Sequence, residues 1–206
     1  NMKRILLLGL FLGIGVQLFA QGIDFKPVPF SEALRMAKTQ HKMLFVDCYT
    51  SWCGPCRYMA DSIFTRKETG DYFNKRFISV KYDIEKDEAK EFNALYTVGS
   101  FPTFWIFSPQ GEVIYRMGGA SLTVKEWLRR MDVAVEEGTK LEKLRQNYRK
   151  NKNEKNTQAY LEAMGNIQFG EGISELFLEQ FRETSDKIDF LYQHKFPDQA
   201  LVAGTF

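Results

Sequence analysis

Two cysteines separated by two residues carry the clearest chemical signal in the chain: Cys53 and Cys56, in the run Trp52-Cys53-Gly54-Pro55-Cys56. The run follows an apolar stretch of strand length and opens a segment with a helical pattern. Gly54-Pro55 marks the start, because proline lacks the amide proton that the first helical turn leaves unpaired anyway. A thiol at a helix N-terminus faces unpaired amides and the positive end of the helix dipole, which stabilise its thiolate and lower its pKa. Cys53 is therefore the expected nucleophile. Cys56, one turn inside the helix, is placed to attack a mixed disulfide formed on Cys53 and release the reduced partner. With Cys48, all three cysteines fall within nine positions. That clustering argues against a stapling role, since the disulfide framework of a small secreted fold spreads an even number of cysteines along the chain. A zinc site needs four ligands, and the helpers on offer, His41 and His194, stand at no metal-site spacing, so no metal is expected.

The elements that must position these thiols are legible as periodicities. Met43 to Tyr49 is an almost continuous apolar run, the pattern of a strand buried on both faces, interrupted by the carboxylate of Asp47. An acid in such a strand costs stability unless something uses or pairs it. Cys48 alternates with Asp47 and is expected on the opposite face as a small core side chain. Cys53 to about Thr65 reads as the helix after this strand. Upstream, Ser31 to Gln40 places Ala33, Leu34 and Ala37 on one helical face with Ser31 as a cap. Downstream, Phe77 to Asp83 reads as a strand and Glu88 to Tyr96 as a helix. Phe101 to Phe107 and Glu112 to Met117 read as a hairpin turned by Ser108-Pro109-Gln110-Gly111. Thr123-Val124-Lys125-Glu126 matches a capping box, opening a helix expected to end at Gly138. Alternating strands and helices closed by a hairpin predict an α/β fold, a mixed central sheet with helices on both faces.

Beyond Gly138 the pattern turns wholly helical. Leu141, Leu144 and Tyr148 form one short apolar face, Arg149 to Asn156 reads as a polar joint, and Tyr160, Leu161 and Met164 suggest a further helix. Two more are expected around Ile173 to Phe181 and Ile188 to Tyr192. At the other end, Met2-Lys3-Arg4 followed by the uncharged run Ile5 to Val16 and by Leu18-Phe19-Ala20 reads as a secretory leader cut after Ala20. The expected organisation is thus a leader over 1–20, an α/β domain over 21–138 that folds alone, and a helical appendage over 139–206. Once the leader is removed no membrane-spanning segment is expected. Apolar residues at 44% and charged residues at 26% are near globular averages and exclude wholesale disorder. The formal charge of +2 becomes zero without Lys3 and Arg4, which argues against a nucleic-acid partner held by a basic face. Gly118-Gly119 lacks the spacing of a phosphate loop, so nucleotide binding is not expected.

From about Pro27 to Glu137 the chain resembles the thioredoxin family, and the match extends beyond the cysteines. Asp47 lies six residues before Cys53, where the family carries a buried acid that exchanges the proton of the second thiol. Lys81, in Val80-Lys81-Tyr82-Asp83-Ile84-Glu85, matches the lysine beside that acid. Phe101-Pro102-Thr103 matches the segment whose proline is cis and packs opposite the cysteines, and Gly119, or its neighbour Gly118, matches the glycine lining the substrate groove. There are departures. Asp61 stands where the family kinks the active-site helix with proline, Cys48 stands where a large apolar residue is common, and Phe101 is bulkier than the usual aliphatic.

The resemblance implies a thioredoxin fold and a thiol-disulfide oxidoreductase, with Cys53 attacking and Cys56 resolving. Desolvation raises the pKa of a buried Asp47 toward neutrality, a workable value for a base, while Lys81 moderates the shift. Trp52, Gly54, Pro55 and Phe101 offer an extended substrate a flat apolar landing surface, and the backbone of Phe101 offers it an amide and a carbonyl. Gly54-Pro55 resembles the pair of reducing members, so protein disulfides are the expected substrates and a membrane-linked thiol carrier the expected electron donor. No cofactor is expected. An isomerase or oxidase of the same fold, or a redox-idle protein that presents its helical appendage to a partner, are the competing readings. The leader places the mature protein in the periplasm or cell envelope if the source is bacterial.

Overall fold

The computed structural model describes residues 22–169. Four strands form one mixed sheet: β1 (Met43–Tyr49), β2 (Phe77–Asp83), β3 (Thr103–Phe107) and β4 (Val113–Gly118), in the order β2-β1-β3-β4. β1 pairs parallel to β2 and antiparallel to β3, and β3 pairs antiparallel to β4. The central position of β1 explains its apolar run, because both of its faces are covered. Leu44, Val46 and Cys48 face one core with helix α1 (Phe30–Gln40) and the short α4 (Lys90–Asn93). Phe45 faces the other, where the turn that follows the active-site helix α2 (Gly54–Tyr58), with α3 (Lys67–Arg76) and α5 (Val124–Lys150), brings Met59, Phe73, Trp127 and Met131. Alternation puts Asp47 on this second face, beneath the active-site helix, and Cys48 on the first.

Several boundaries differ from the expectation, each for a local reason. α1 begins at Phe30 with Pro29 as its cap residue, and the carboxylate of Glu91 accepts the amide of Ser31 at 2.8 Å in place of a serine cap. The segment from Glu88 to Tyr96 is a 3-10 turn over Asp87–Ala89 and one α turn, which suffice to bury Phe92 and Tyr96. α3 has no counterpart in the sequence reading. Its buried positions are Thr69, Gly70 and Phe73, a face with one bulky apolar residue, too small to register as an amphipathic stripe.

The largest correction is at Gly138. The helix does not end there but continues to Lys150, 27 residues in all. A Cβ at position 138 would stand 3.1 Å from the side chain and carbonyl oxygen of Ile114, so the glycine serves the close approach of α5 to β4. The expected joint shrinks to the residues between Lys150 and Glu154, and α6 (Glu154–Phe169) folds back on α5, stacking Tyr160 on Tyr148 at 5.3 Å between centroids. The helices expected beyond Phe169, and the leader, lie outside the described residues. Among the described residues no helix is long and apolar enough to cross a membrane.

Candidate active site

Cys53 and Cys56 are joined in a disulfide, with 5.3 Å between their Cα atoms. Cys53 occupies the cap position of α2 in an extended conformation, anchored by its own amide to Thr50 O at 3.1 Å. Its Sγ accepts the amide of Cys56 at 3.1 Å. This is the bond that stabilises a thiolate once the disulfide opens, since the unpaired amides of the first turn point at the sulfur. Both sulfurs sit in nearly closed surroundings, while Gly54 and Pro55 between them are exposed.

Trp52 is 62% exposed, yet its indole is fixed: Nε1 donates to both carboxylate oxygens of Glu85 at 3.1 Å, and the ring meets Phe101 edge-on at 5.8 Å. The Phe101–Pro102 peptide is cis. Pro102 is buried, and its carbonyl accepts the amide of Gly119 at 2.9 Å, tying β4's exit to this loop. Of the two candidate glycines, Gly118 pairs with Thr103 in the ladder, while Gly119 takes a left-handed φ of 81°. Gly119 is the one whose conformation requires glycine.

Asp47 is 5% exposed, and its Oδ1 has no hydrogen-bond partner. Burial pushes its carboxyl up to about 7, with the charge of Lys81 pulling the other way. Lys81 is the in-register neighbour of Asp47 on β2, and its amine lies 5.6 Å above the ring of Phe25. With Phe25, Ala60, Phe64 and Thr65, Lys81 lines a cleft of about 350 Å³ behind the active-site helix. Asp47 and Lys81 thus form one unit on that face; Trp52, Gly54, Pro55 and Gly119 are exposed, Phe101 is half-buried and Pro102 is buried.

The active-site helix does not run unbroken to Thr65. After Tyr58 it widens into a π turn over Met59–Ile63, closed by the amide of Phe64 on Met59 O at 2.8 Å. Asp61, the residue in place of a kinking proline, lies in this turn, so the irregularity is made by the backbone itself. Other residues escaped the sequence reading: Tyr58, whose hydroxyl donates to Leu122 O at 2.7 Å, Glu85, and Arg130, which bonds the Gly118–Gly119 carbonyls. All three stand in segments the sequence assigns, but no spacing rule links any of them to the cysteines.

A cysteine pair closing a disulfide at the start of the helix after a central strand, on a mixed sheet covered on both faces, defines a thioredoxin-like redox protein. The thioredoxin-like domain family matches residues 30–134, just over half of the 206 residues, and the chain belongs to that family. It is 37% identical over 93 residues to thioredoxin-2 of Pyricularia oryzae, covering 45% of this chain and 47% of that protein, so it spans about half of that relative's length. It is 32% identical over 90 residues to a thioredoxin-like protein of Synechocystis, covering 44% of this chain and 80% of that one. Among solved structures, a candidate disulphide-isomerase from Bacteroides thetaiotaomicron superimposes with a TM-score of 0.50 at 41% identity, covering 57% of this chain and 96% of that chain.

Proposed function

We propose that this protein is an exported thiol-disulfide oxidoreductase that reduces protein disulfides. The observation that carries the reading is the capping sulfur: Cys53 Sγ accepts the amide of its disulfide partner at the mouth of an exposed apolar platform. In the reduced protein the Cys53 thiolate attacks one sulfur of the substrate disulfide, forming a Cys53–substrate bond and expelling the other substrate sulfur as a thiolate, which takes a proton. Asp47 then accepts the proton of the Cys56 thiol. The Cys56 thiolate attacks Cys53 Sγ, closing the internal disulfide and releasing the second substrate sulfur, which is protonated in turn. Two electrons pass from the cysteine pair to the substrate, and a membrane-linked thiol carrier returns them. Trp52, Gly54, Pro55, Phe101, Pro102 and Gly119 receive the substrate chain, and Lys81 keeps Asp47 from rising too far.

Insulin reduction by the mature protein tests the chemistry, with turnover expected for the wild type and lost in Cys53→Ser; equal turnover in the two would make the thiols idle. A second reading, isomerase, is favoured by the 41% identity to the Bacteroides candidate disulphide-isomerase. Equilibration with glutathione separates the two readings. A potential near the roughly −270 mV of reducing thioredoxins supports reduction, and one near the roughly −180 mV of disulfide isomerases, together with reactivation of scrambled ribonuclease, supports the alternative.

A further inference from the structure

The loop from Gly118 to Leu122 leaves β4 beside the Phe101–Pro102 segment, whose Phe101 ring meets Trp52. By composition it is ill suited to hold a shape. Gly118 and Gly119 are exposed, and a Cβ at Gly119 would meet nothing within 4 Å, so no packing restrains the second glycine. Consecutive glycines have the most conformational freedom to lose, and only hydrogen bonds can fix them here. The Gly119 amide is held by Pro102 O at 2.9 Å and Gly118 pairs with Thr103 in the ladder; one side chain holds both carbonyls. Arg130, one turn along α5 from Glu126, donates Nη1 to Gly119 O and to Ser121 Oγ, each at 2.9 Å, and Nη2 to Gly118 O at 2.6 Å. The far end of the loop is pinned separately, by Leu122 N to Glu126 Oε2 at 2.9 Å and by the Tyr58 hydroxyl to Leu122 O. A guanidinium fork is the one side chain that reaches three acceptors from a single rigid plane; an ammonium cannot.

We propose that Arg130 is a positioning residue of the substrate groove: by fixing the Gly118 and Gly119 carbonyls and the Ser121 hydroxyl, it keeps the Gly119 amide seated on Pro102 O and so sets how tightly an extended protein disulfide segment binds. The inference rests on the reading that this site acts on protein disulfides. Arg130 bonds the loop and none of the reacting sulfurs, so its loss acts through the fit of a chain that spans the groove. A small disulfide, which touches only the cysteines and their rim, depends far less on that fit.

The test compares insulin with a small aromatic disulfide as substrates of the full chain, for wild type, Arg130→Gln and Arg130→Lys. The expected result is a roughly tenfold rise in KM for insulin at nearly constant kcat, a correspondingly lower ratio of insulin to small-disulfide kcat/KM, and only partial recovery in Arg130→Lys. Amide exchange at Gly119 should quicken in Arg130→Gln while that of β1 and β3 stays as in wild type, a readout that does not require turnover. Equal losses on both substrates, or unchanged exchange at Gly119, would overturn the positioning role. A wild-type chain inert toward both substrates would instead overturn the reading of the site itself, and with it this inference.

Discussion

At the scale of single residues the site turns on a conflict between one carboxylate, that of Asp47, and its surroundings. Asp47 is buried with Oδ1 unpaired, and its carboxyl sits at about 7 where its ordinary value is 3.8. The folded protein therefore holds a proton that the unfolded chain releases between about pH 4 and pH 7, so this residue's contribution to stability falls as pH rises through that window. The difference between 3.8 and about 7 corresponds to about 4 kcal/mol as an upper bound. Asp47→Asn keeps the shape and removes the titration. Denaturant unfolding of the oxidised form should show the variant and the wild type nearly equal at pH 4, and the variant more stable by up to that amount at pH 8. In single-turnover experiments the same variant should release the mixed disulfide more slowly, because Cys56 has lost its proton acceptor. Stability and rate moving oppositely is the signature of a functional acid. A stability gap that stays constant across pH, or an unaltered release rate, would reduce Asp47 to a structural oddity.

At the scale of elements, what was legible in the sequence and what was not divide along a physical line. Continuous apolar runs gave β1 and β2, the Gly-Pro start gave the active-site helix, and a polar residue out of place pointed to Asp47, because each of these is a local pattern. α3 was not legible, since it meets the core through Thr69, Gly70 and Phe73 and presents no stripe. Arg130 and Tyr58 were not legible either: exposed or half-exposed polar side chains read as solvated surface until the fold brings Gly118 and Leu122 to them. Gly138 carries a double meaning: a glycine after a helical pattern signals an end, whereas here it admits β4. The two meanings differ in what substitution does. At a helix end a larger residue is resisted by the left-handed backbone, but in the middle of α5 any Cβ presses on Ile114, including its backbone oxygen. Gly138→Val should therefore destabilise the protein by about 2 kcal/mol, read from the urea midpoint, with no change in the potential of the cysteine pair. A neutral or stabilising valine would mean that α5 has room to move away from β4.

At the scale of the whole molecule, the helical extension is fastened to the sheet through one buried charge. Arg145 is 1% exposed; it bonds Glu112 at 3.0 Å, Glu142 at 2.7 Å, the carbonyl of Val113 at 2.7 Å and the hydroxyl of Tyr160 at 3.3 Å. Glu112 also pairs with Arg149. Burial pushes the carboxyl of Glu112 up, but the two arginines outweigh it and hold the carboxyl below its ordinary value. Its linkage is opposite in sign to that of Asp47: this contribution is complete above the ordinary carboxylate range and is lost as pH falls through the lowered value. Because β4 supplies both Glu112's neighbour Val113 and the strand that leads to Gly119, the second half of α5 braces the same strand whose exit forms the groove. A chain ending at Gly138, which the sequence alone suggested would fold by itself, strips Glu112 of both arginines and uncovers the carbonyl of Val113. Removing one partner of a buried pair is far more damaging than replacing both, because it leaves a charge with no compensation. Arg145→Met should thus cost about 3 kcal/mol at pH 7, with Arg149 remaining to satisfy part of Glu112, and the chain ending at Gly138 should unfold at a lower denaturant concentration than Arg145→Met. If the truncated chain instead melted cooperatively at the full-length midpoint, the extension would be an independent unit and the buried arginine would stabilise only α5 and α6.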